Sequence, residues 1–427
     1  MDIQNEKESK KKIKDKIIFI IISFLILLLC IKHKIFFFIF LFIILFVIIK
    51  LYILHKKSEE NSIKAGYRES WNNLYGEKIL NINYPKGDII INSFKKNGGI
   101  NYNEKIGDVN NGNDYKKNDR NFYNLFIPYS SLKNKNKYNG IILFIHGGAW
   151  SFGEKENIEY LCNRYTKCGY ITAEMNHTLL LPKYKDYNIF RILDDITACI
   201  QNIKDYLKNK GFDENKLELA IGGYSSGAHI ALLYGYAMKN IPLPLKFLID
   251  FVGPITLEPQ YWFRVKDEKC LLDNIENSDI ENAFKNNKLI KIFDDELLIG
   301  IMNNFLGKKY NDQELKELFE NKKLKENNKK YNDLLELAKF AFPTTYINSK
   351  TVPTLCQYGG FDYIIGVCHY NELKKLSDKY GNILVNVYMR NAGHDLQSFD
   401  NENGLYAMRE MHYQILNFAK TYFTQEK

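Results

Sequence analysis

Gly223-Tyr224-Ser225-Ser226-Gly227 sets a serine between glycines two residues away on either side, after the apolar run Leu217–Ile221 and at the start of a helix-period segment. A chain passing so abruptly from strand to helix bends until Cβ atoms at those flanking positions would collide, and the hydroxyl at the apex is pushed outward. The glycines decide the register. Ser225 has Gly223 and Gly227 around it, whereas Ser226 has Tyr224 and Ala228. Ser225 is the candidate nucleophile, suited to attack on an acyl carbonyl.

Such an attack builds negative charge on the carbonyl oxygen, which backbone N–H groups must meet. His146-Gly147-Gly148-Ala149-Trp150 follows the apolar run Ile141–Ile145 and supplies a Gly-rich turn at a strand end. The N–H groups of Gly148, Ala149 and Ser226 are the expected oxyanion donors, with His146, Gly147, Gly223 and Gly227 shaping the turns.

The serine also needs a base, and an imidazole needs an orienting carboxylate. Of eight histidines, His33 and His55 flank apolar runs and His146 belongs to the Gly-rich turn. His229 and His412 fall within helix-period segments, and His177 and His369 lack turn residues around them. His394, in Asn391-Ala392-Gly393-His394-Asp395 between the run Ile383–Met389 and the last helical segment, is the candidate base. Asp362, in Gly359-Gly360-Phe361-Asp362 after the run Thr354–Tyr358, leads over Asp250, which falls inside a run, and Asp395, which is too near in sequence to reach the ring.

These groups need a scaffold that brings strand ends together. Continuous apolar runs at Ile141–Ile145, Tyr170–Met175, Leu217–Ile221, Phe247–Val252, Thr354–Tyr358 and Ile383–Met389 predict strands buried on both faces. Helix-period segments at Glu156–Cys168, Phe190–Lys208, Ser226–Met238, Gly366–Tyr380 and Gly404–Phe423 predict helices on both faces of a mainly parallel sheet. The pattern is α/β, and ligands then bind at the carboxyl ends of the strands. Thr256–Lys350 lacks strong strand signals, with helical patterns at Asp294–Phe305 and over the charged stretch Asn311–Leu337. It reads as a helical cap inserted over those strand ends, with a solvated helical pair outside the site as the alternative.

The net charge of +9 looks like a nucleic-acid signature until it is located. Residues 1–57 carry eleven Lys against Asp2, Glu6, Glu8 and Asp15, so the rest of the chain is close to neutral and no nucleic-acid partner is expected. The same segment holds two uncharged apolar runs, Ile17–Ile31 and Ile35–Ile49, separated by Lys32-His33-Lys34. One helix through both would be about 50 Å long against a bilayer core of about 30 Å, which leaves a helical hairpin or one span with an interfacial partner. Lysines flank both ends, and the positive-inside bias favours a hairpin with both flanks, and the catalytic domain, on the cytoplasmic face. The expected organisation is a basic flank and membrane anchor over 1–57, a juxtamembrane linker and polar irregular region over 58–121, and a hydrolase domain over 122–427 with its cap at 256–350. Within the second region, Asn97–Asn121 reads as a solvated loop with no bearing on chemistry. Seven cysteines without paired C-x-x-C spacing predict neither a disulfide framework nor a zinc site.

From about Phe122 onward these residues resemble the α/β-hydrolase superfamily, in particular esterases and lipases of the hormone-sensitive-lipase-like and feruloyl-esterase-like kind. Gly153, Asp195-Ile196-Thr197-Ala198 and Gly211-Phe212-Asp213 look like further pieces of that pattern. The resemblance implies an α/β-hydrolase fold, a Ser225–Asp362–His394 triad, an oxyanion hole from Gly148, Ala149 and Ser226, and no metal or organic cofactor. Three departures stand out: Ala149 where many members have glycine, Ser226 where alanine is common, and His177-Thr178-Leu179 in place of a frequent Tyr-Arg-Leu, which removes a structural support. The expected activity is hydrolysis of a small-molecule carboxylic ester with an apolar group, by a chain held at a lipid bilayer through its N-terminal segment. An amidase or peptidase on the same fold and a non-catalytic binding domain are the rival expectations.

Overall fold

The computed structural model describes residues 68–85, 91–95, 99–102, 120–180, 188–265, 289–291, 293–307, 310–320, 323–324, 328–360, 362, 364–389, 392–396 and 401–424, with Leu45, Phe46, Ile49 and Lys50 nearer the N-terminus. The chain divides into two units, Met1–Gly66 and Tyr67–Lys427. In the first, those four described residues are helical, with Leu45 and Phe46 exposed. The run Ile17–Ile31 and the remainder of Ile35–Ile49 lie outside the described residues. Among the described residues, no helix is long and apolar enough to cross a membrane.

In the second unit the elements follow the chain as β1 (Gly76–Asn83), the hairpin strands β2 (Ile91–Lys95) and β3 (Gly99–Tyr102), β4 (Phe122–Pro128), α1 (Tyr129–Lys133), β5 (Asn139–Ile145), α2 (Glu159–Lys167), β6 (Ile171–Met175), α3 (Ile189–Asn209), β7 (Leu217–Tyr224), α4 (Ser226–Ala237) and β8 (Leu245–Phe251). An insertion of short elements follows: β9 (Phe263–Val265), β10 (Leu289–Lys291), α5 (Asp295–Phe305), α6 (Asp312–Lys316), β11 (Phe319–Glu320), β12 (Lys323–Leu324) and α7 (Lys329–Ala338). The chain then returns through β13 (Thr354–Gly359), α8 (Cys368–Tyr380), β14 (Leu384–Met389) and α9 (Asn401–Tyr422).

Eight strands form one sheet in the order β1-β4-β6-β5-β7-β8-β13-β14, parallel from β6 to β14 and antiparallel at the β1-β4 and β4-β6 pairings. Alternation along each strand sends side chains into two cores. In β5, Ile141, Leu143 and Ile145 face the core with Ile192 and Ile196 of α3 and Ile230 of α4, while Ile142 and Phe144 face the core with Leu161 of α2 and Ile415 of α9. That double burial is why β5 reads as an unbroken apolar run.

Two expectations need correction. Residues 58–121 are not all linker and irregular region, because β1 forms the sheet's edge and β2-β3 a separate hairpin that takes in part of the stretch expected to be a solvated loop. An edge strand is only half covered, and β1 also carries a register shift between Ile79 and Ile82, so neither a continuous run nor clean alternation marks it. The insertion is likewise less helical than expected. Asn311–Leu337 breaks into α6, the β11-β12 hairpin and α7, and β9-β10 forms another hairpin. Such pairs are too short for a periodic pattern to register.

The insertion packs on the body at several points. Trp262 meets His369 of α8 edge-on at 4.8 Å between ring centres, and the turn Pro343–Tyr346 lies against α4. Of five described cysteines, all free, Cys162, Cys199, Cys356 and Cys368 are buried and Cys168 is exposed.

Beside the β7 strand end, Asp250 of β8 is fully buried, and burial pushes its carboxyl up to about 7. The Tyr358 hydroxyl lies 2.8 Å from Asp250 Oδ2 and 2.6 Å from the Gly253 carbonyl, yet it has a single proton. A neutral Asp250 satisfies both contacts, its O–H donating to Tyr358 and Tyr358 donating to Gly253. A folded-state value raised above the unfolded 3.8 contributes stability that is full below about pH 4 and is lost as pH rises through about 7. Burial acts in the same direction on Glu174 and Asp194, each raised to about 8. Asp250→Asn keeps a neutral donor and acceptor, so the fall in thermal midpoint between pH 5 and pH 8 is expected to flatten. Melts of wild type and variant at both pH values check this, and equal slopes would show that Asp250 is ionised in the folded protein.

Candidate active site

At the carboxyl end of β7 the chain turns into α4 within one residue. Ser225 occupies that turn at φ 55° and ψ −122°, with its N–H donating to the Phe251 carbonyl at 2.8 Å and its carbonyl accepting from His229 N at 3.1 Å. Neither flanking glycine has room for a side chain. A Cβ on Gly223 would lie 2.2 Å from the Gly227 carbonyl group, and one on Gly227 would lie 2.2 Å from the Ile145 carbonyl oxygen. Larger residues would push α4 off the ends of β5 and β7.

The three expected relay residues come together from elements far apart in sequence. His394 Nε2 lies 2.9 Å from Ser225 Oγ, and His394 Nδ1 lies 2.8 Å from Asp362 Oδ2. The other oxygen, Asp362 Oδ1, accepts from Ile364 N at 2.7 Å and Ile365 N at 2.8 Å, which fixes the carboxylate plane. A carboxylate facing Nδ1 requires that nitrogen to carry the proton in the neutral ring, leaving Nε2 as acceptor toward the serine. The Tyr224 hydroxyl donates to the His394 carbonyl and its ring stands edge-on to the imidazole, pinning the loop that carries the histidine. Asp250, a rival for the carboxylate position, is occupied by Tyr358 and Gly253.

Next to Ser225 lies the Gly-rich turn. A Cβ on Gly147 would come within 2.8 Å of the Tyr224 carbonyl oxygen, so the turn touches the elbow directly. Gly148, Ala149 and Trp150 follow at φ 125°, 45° and 61°. The Gly148 carbonyl is held from the far side by Ser151 N at 2.9 Å and Phe152 N at 3.0 Å. Among the described residues, none accepts a hydrogen bond from the N–H groups of Gly148, Ala149 or Ser226. Ser226 also opens α4, where the aligned peptide dipoles favour negative charge. The φ of 45° at Ala149 is one that glycine adopts without the steric cost a Cβ brings.

Sequence reasoning missed the supports of this turn. Arg120, placed in a loop expected to have no chemical bearing, donates through Nη2 to the Gly153 carbonyl at 2.6 Å and through Nε to the His177 carbonyl at 3.2 Å. Its Nη1 reaches Glu154 at 3.3 Å. His146 and His177 stack with ring centres 4.4 Å apart, and His146 Nδ1 donates to the Gly147 carbonyl at 2.7 Å. Burial, with the Arg120 and Lys155 charges nearby, lowers His146 to about 4, so it stays neutral and structural. Asp195 accepts from Thr178 N at 2.7 Å and thereby anchors the segment that replaces Tyr-Arg-Leu. Arg120 enters the same region from just before β4 and reaches the His177 carbonyl. Only an arginine at the head of a strand could have signalled this, and a single arginine in a polar stretch gives no pattern.

Fold and site together define an α/β-hydrolase: a mainly parallel sheet with helices on both faces, and serine, carboxylate and histidine after β7, β13 and β14 in the chain order Ser225, Asp362, His394. The BD-FAE family model matches residues 128–376, and the chain belongs to that family of α/β-hydrolase esterases. Its class of activity is carboxylic ester hydrolysis. Among solved structures, a C6-C4 SN3 inhibited esterase B from Lactobacillus rhamnosis is 13% identical, with 88% of this chain and 97% of that chain covered and a TM-score of 0.50, a likeness of fold. A truncated form of a carbohydrate esterase from gut microbiota is 14% identical over 82% of this chain and 99% of that chain, with a TM-score of 0.49. A thermophilic esterase with butyrate bound, from the Planctomycetes species Thermogutta terrifontis, is 16% identical over 73% of this chain and 94% of that chain, with a TM-score of 0.46. Among curated proteins none matches the sequence.

Arg120→Gln removes the charge-assisted bond to the Gly153 carbonyl, a type of bond that contributes about 1.5–3 kcal/mol. The expected result is a kcat for p-nitrophenyl acetate lower by about tenfold with KM changed less, since the loop matters most when charge develops. Steady-state kinetics beside a thermal melt tests this. A variant that melts like wild type and keeps its kcat would show that Arg120 does not hold the loop.

Proposed function

We propose that the protein is a membrane-anchored serine hydrolase that cleaves carboxylic esters through an acyl-enzyme. The observation that carries this reading is the relay Ser225 Oγ, His394, Asp362 at 2.9 and 2.8 Å, beside the N–H groups of Gly148, Ala149 and Ser226, which meet no acceptor among the described residues. His394 Nε2 takes the hydroxyl proton as Ser225 Oγ bonds to the ester carbonyl carbon. Asp362 stabilises the imidazolium that forms, and Gly148, Ala149 and Ser226 donate to the oxyanion. Collapse breaks the bond to the alcohol oxygen, which leaves with the proton from His394. Water then attacks the acyl-enzyme by the same route and frees the acid.

An apolar acyl or alcohol group suits the surroundings. Phe152, on the oxyanion turn, is 64% exposed, and Ile364, two residues after Asp362, is 42% exposed. The insertion over 256–350 acts as a cap on this side of the sheet, with Phe305 against Trp150 at 5.0 Å between ring centres. Anchoring rests on the composition of 17–31 and 35–49 and their flanking lysines, with the hydrolase domain on the cytoplasmic face.

Fluorophosphonate labelling tests the nucleophile: wild type is expected to label and Ser225→Ala to stay unlabelled. Equal labelling of both would place the nucleophile elsewhere. Asp362→Asn leaves the ring without its orienting acceptor and is expected to lower kcat by roughly 10⁴-fold. p-Nitrophenyl esters of graded acyl length, with matched anilides, separate esterase from amidase. Release of the full chain from membranes by high salt without detergent would count against an integral anchor.

A further inference from the structure

His229 is fully buried one helical turn after Ser225, and the relay makes no use of it. Its Nε2 lies 2.9 Å from the carbonyl oxygen of Ala341, which can only accept, so Nε2 carries the proton. Burial lowers the ring to about 3, which keeps it neutral, and Nδ1 is therefore an acceptor. The Trp150 indole N–H donates to that nitrogen at 3.1 Å. Trp150 follows Ala149 directly, and both hold left-handed backbone angles, φ 61° and 45°. Non-glycine residues persist there only when their surroundings hold them, at about 1–3 kcal/mol each.

The partners of His229 belong to different parts of the fold. Trp150 sits on the oxyanion turn, whereas Ala341 and Phe305 belong to the 256–350 insertion. Phe305 closes the group, with its ring centre 5.0 Å from Trp150 and 5.5 Å from His229. One imidazole thus joins the elbow helix, the oxyanion turn and the insertion, and its two nitrogens hold the two sides separately.

We propose that His229 is a positioning residue that couples the seating of the insertion to the geometry of the oxyanion turn, through Nε2 on Ala341 and Nδ1 on Trp150. The coupling rests on the reading of Gly148, Ala149 and Ser226 as oxyanion donors. It acts on the Ala149 N–H through the strained Trp150 backbone, and the histidine itself touches no reacting atom.

The two nitrogens can be tested apart, since an Asn side chain reaches the Nδ1 position and a Gln side chain the Nε2 position. His229→Gln keeps a donor for Ala341 but loses the acceptor for Trp150. Trp150→Phe breaks the same bond from the other side while keeping a ring against Phe305. Each is expected to lower kcat for p-nitrophenyl acetate by about tenfold with KM within about threefold, and the double variant to do no worse than either alone. His229→Asn keeps the acceptor for Trp150 and loses the tie to the insertion. It is expected to restore kcat for the acetate ester to within about threefold of wild type while raising KM for the longer p-nitrophenyl octanoate by about fivefold. Wild-type kcat in both His229→Gln and Trp150→Phe, or losses that multiply in the double variant, would overturn the coupling. Fluorophosphonate labelling of the same samples separates the two levels, since an unlabelled wild type defeats the nucleophile reading itself, whereas a labelled wild type with kinetically silent variants defeats only the role of His229.

Discussion

The left-handed backbone of Ser225 is the constraint to which the rest of the site answers. At φ 55° and ψ −122° the residue lies where side-chain-bearing residues are rarely found, at a cost of about 1–3 kcal/mol. Two features hold it there. The Ser225 N–H closes on the Phe251 carbonyl of the neighbouring strand, and α4 crosses so near β5 that Gly223 and Gly227 have no room for a methyl group. The turn is strained because the strand and helix that border it are fixed by the two cores on either side of the sheet.

The same economy governs the Gly-rich turn after β5, where Ala149 and Trp150 carry positive φ without the freedom of glycine. That backbone is held by side chains from three directions: Arg120 on the Gly153 carbonyl, the His146–His177 stack, and His229 on the Trp150 indole. All three histidines have values lowered by burial, which keeps them neutral at physiological pH. A protonated imidazole at any of these positions would lie beside Arg120 or inside a dry core. His394 differs in being partly exposed and in facing the Asp362 carboxyl group.

What was legible in the sequence follows from which physical signals are local. The inner strands β5, β6, β7, β8 and β13 announced themselves because they are buried on both faces, the edge strand β14 because its run is apolar although only half-buried, and the elbow because its glycines sit at fixed offsets from one serine. Asp362 and His394 could be found because each follows such a strand within a short turn. The edge strand β1 was hidden by its half-exposed face and its bulge, and the hairpins of the insertion by strands of two or three residues. The supports of the Gly-rich turn were illegible for a different reason. Arg120 and His229 act on residues 33 and 79 positions away, a relation created by folding and absent from any sequence period.

The contacts of Arg120 show how the sheet creates such a relation. A guanidinium presents five N–H donors in one plane, so one side chain can hold several carbonyl oxygens at once. Arg120 enters from the head of β4, the strand paired antiparallel with β6, and β6 leads directly into His177. Its contacts with Gly153, His177 and Glu154 bridge the loop after β5 and the loop after β6. The His177 ring then stacks on His146. The antiparallel β4-β6 ladder, with Tyr123 opposite Met175, brings the residues just before β4 to the chain just after β6, so the pairing itself delivers the guanidinium to both loops.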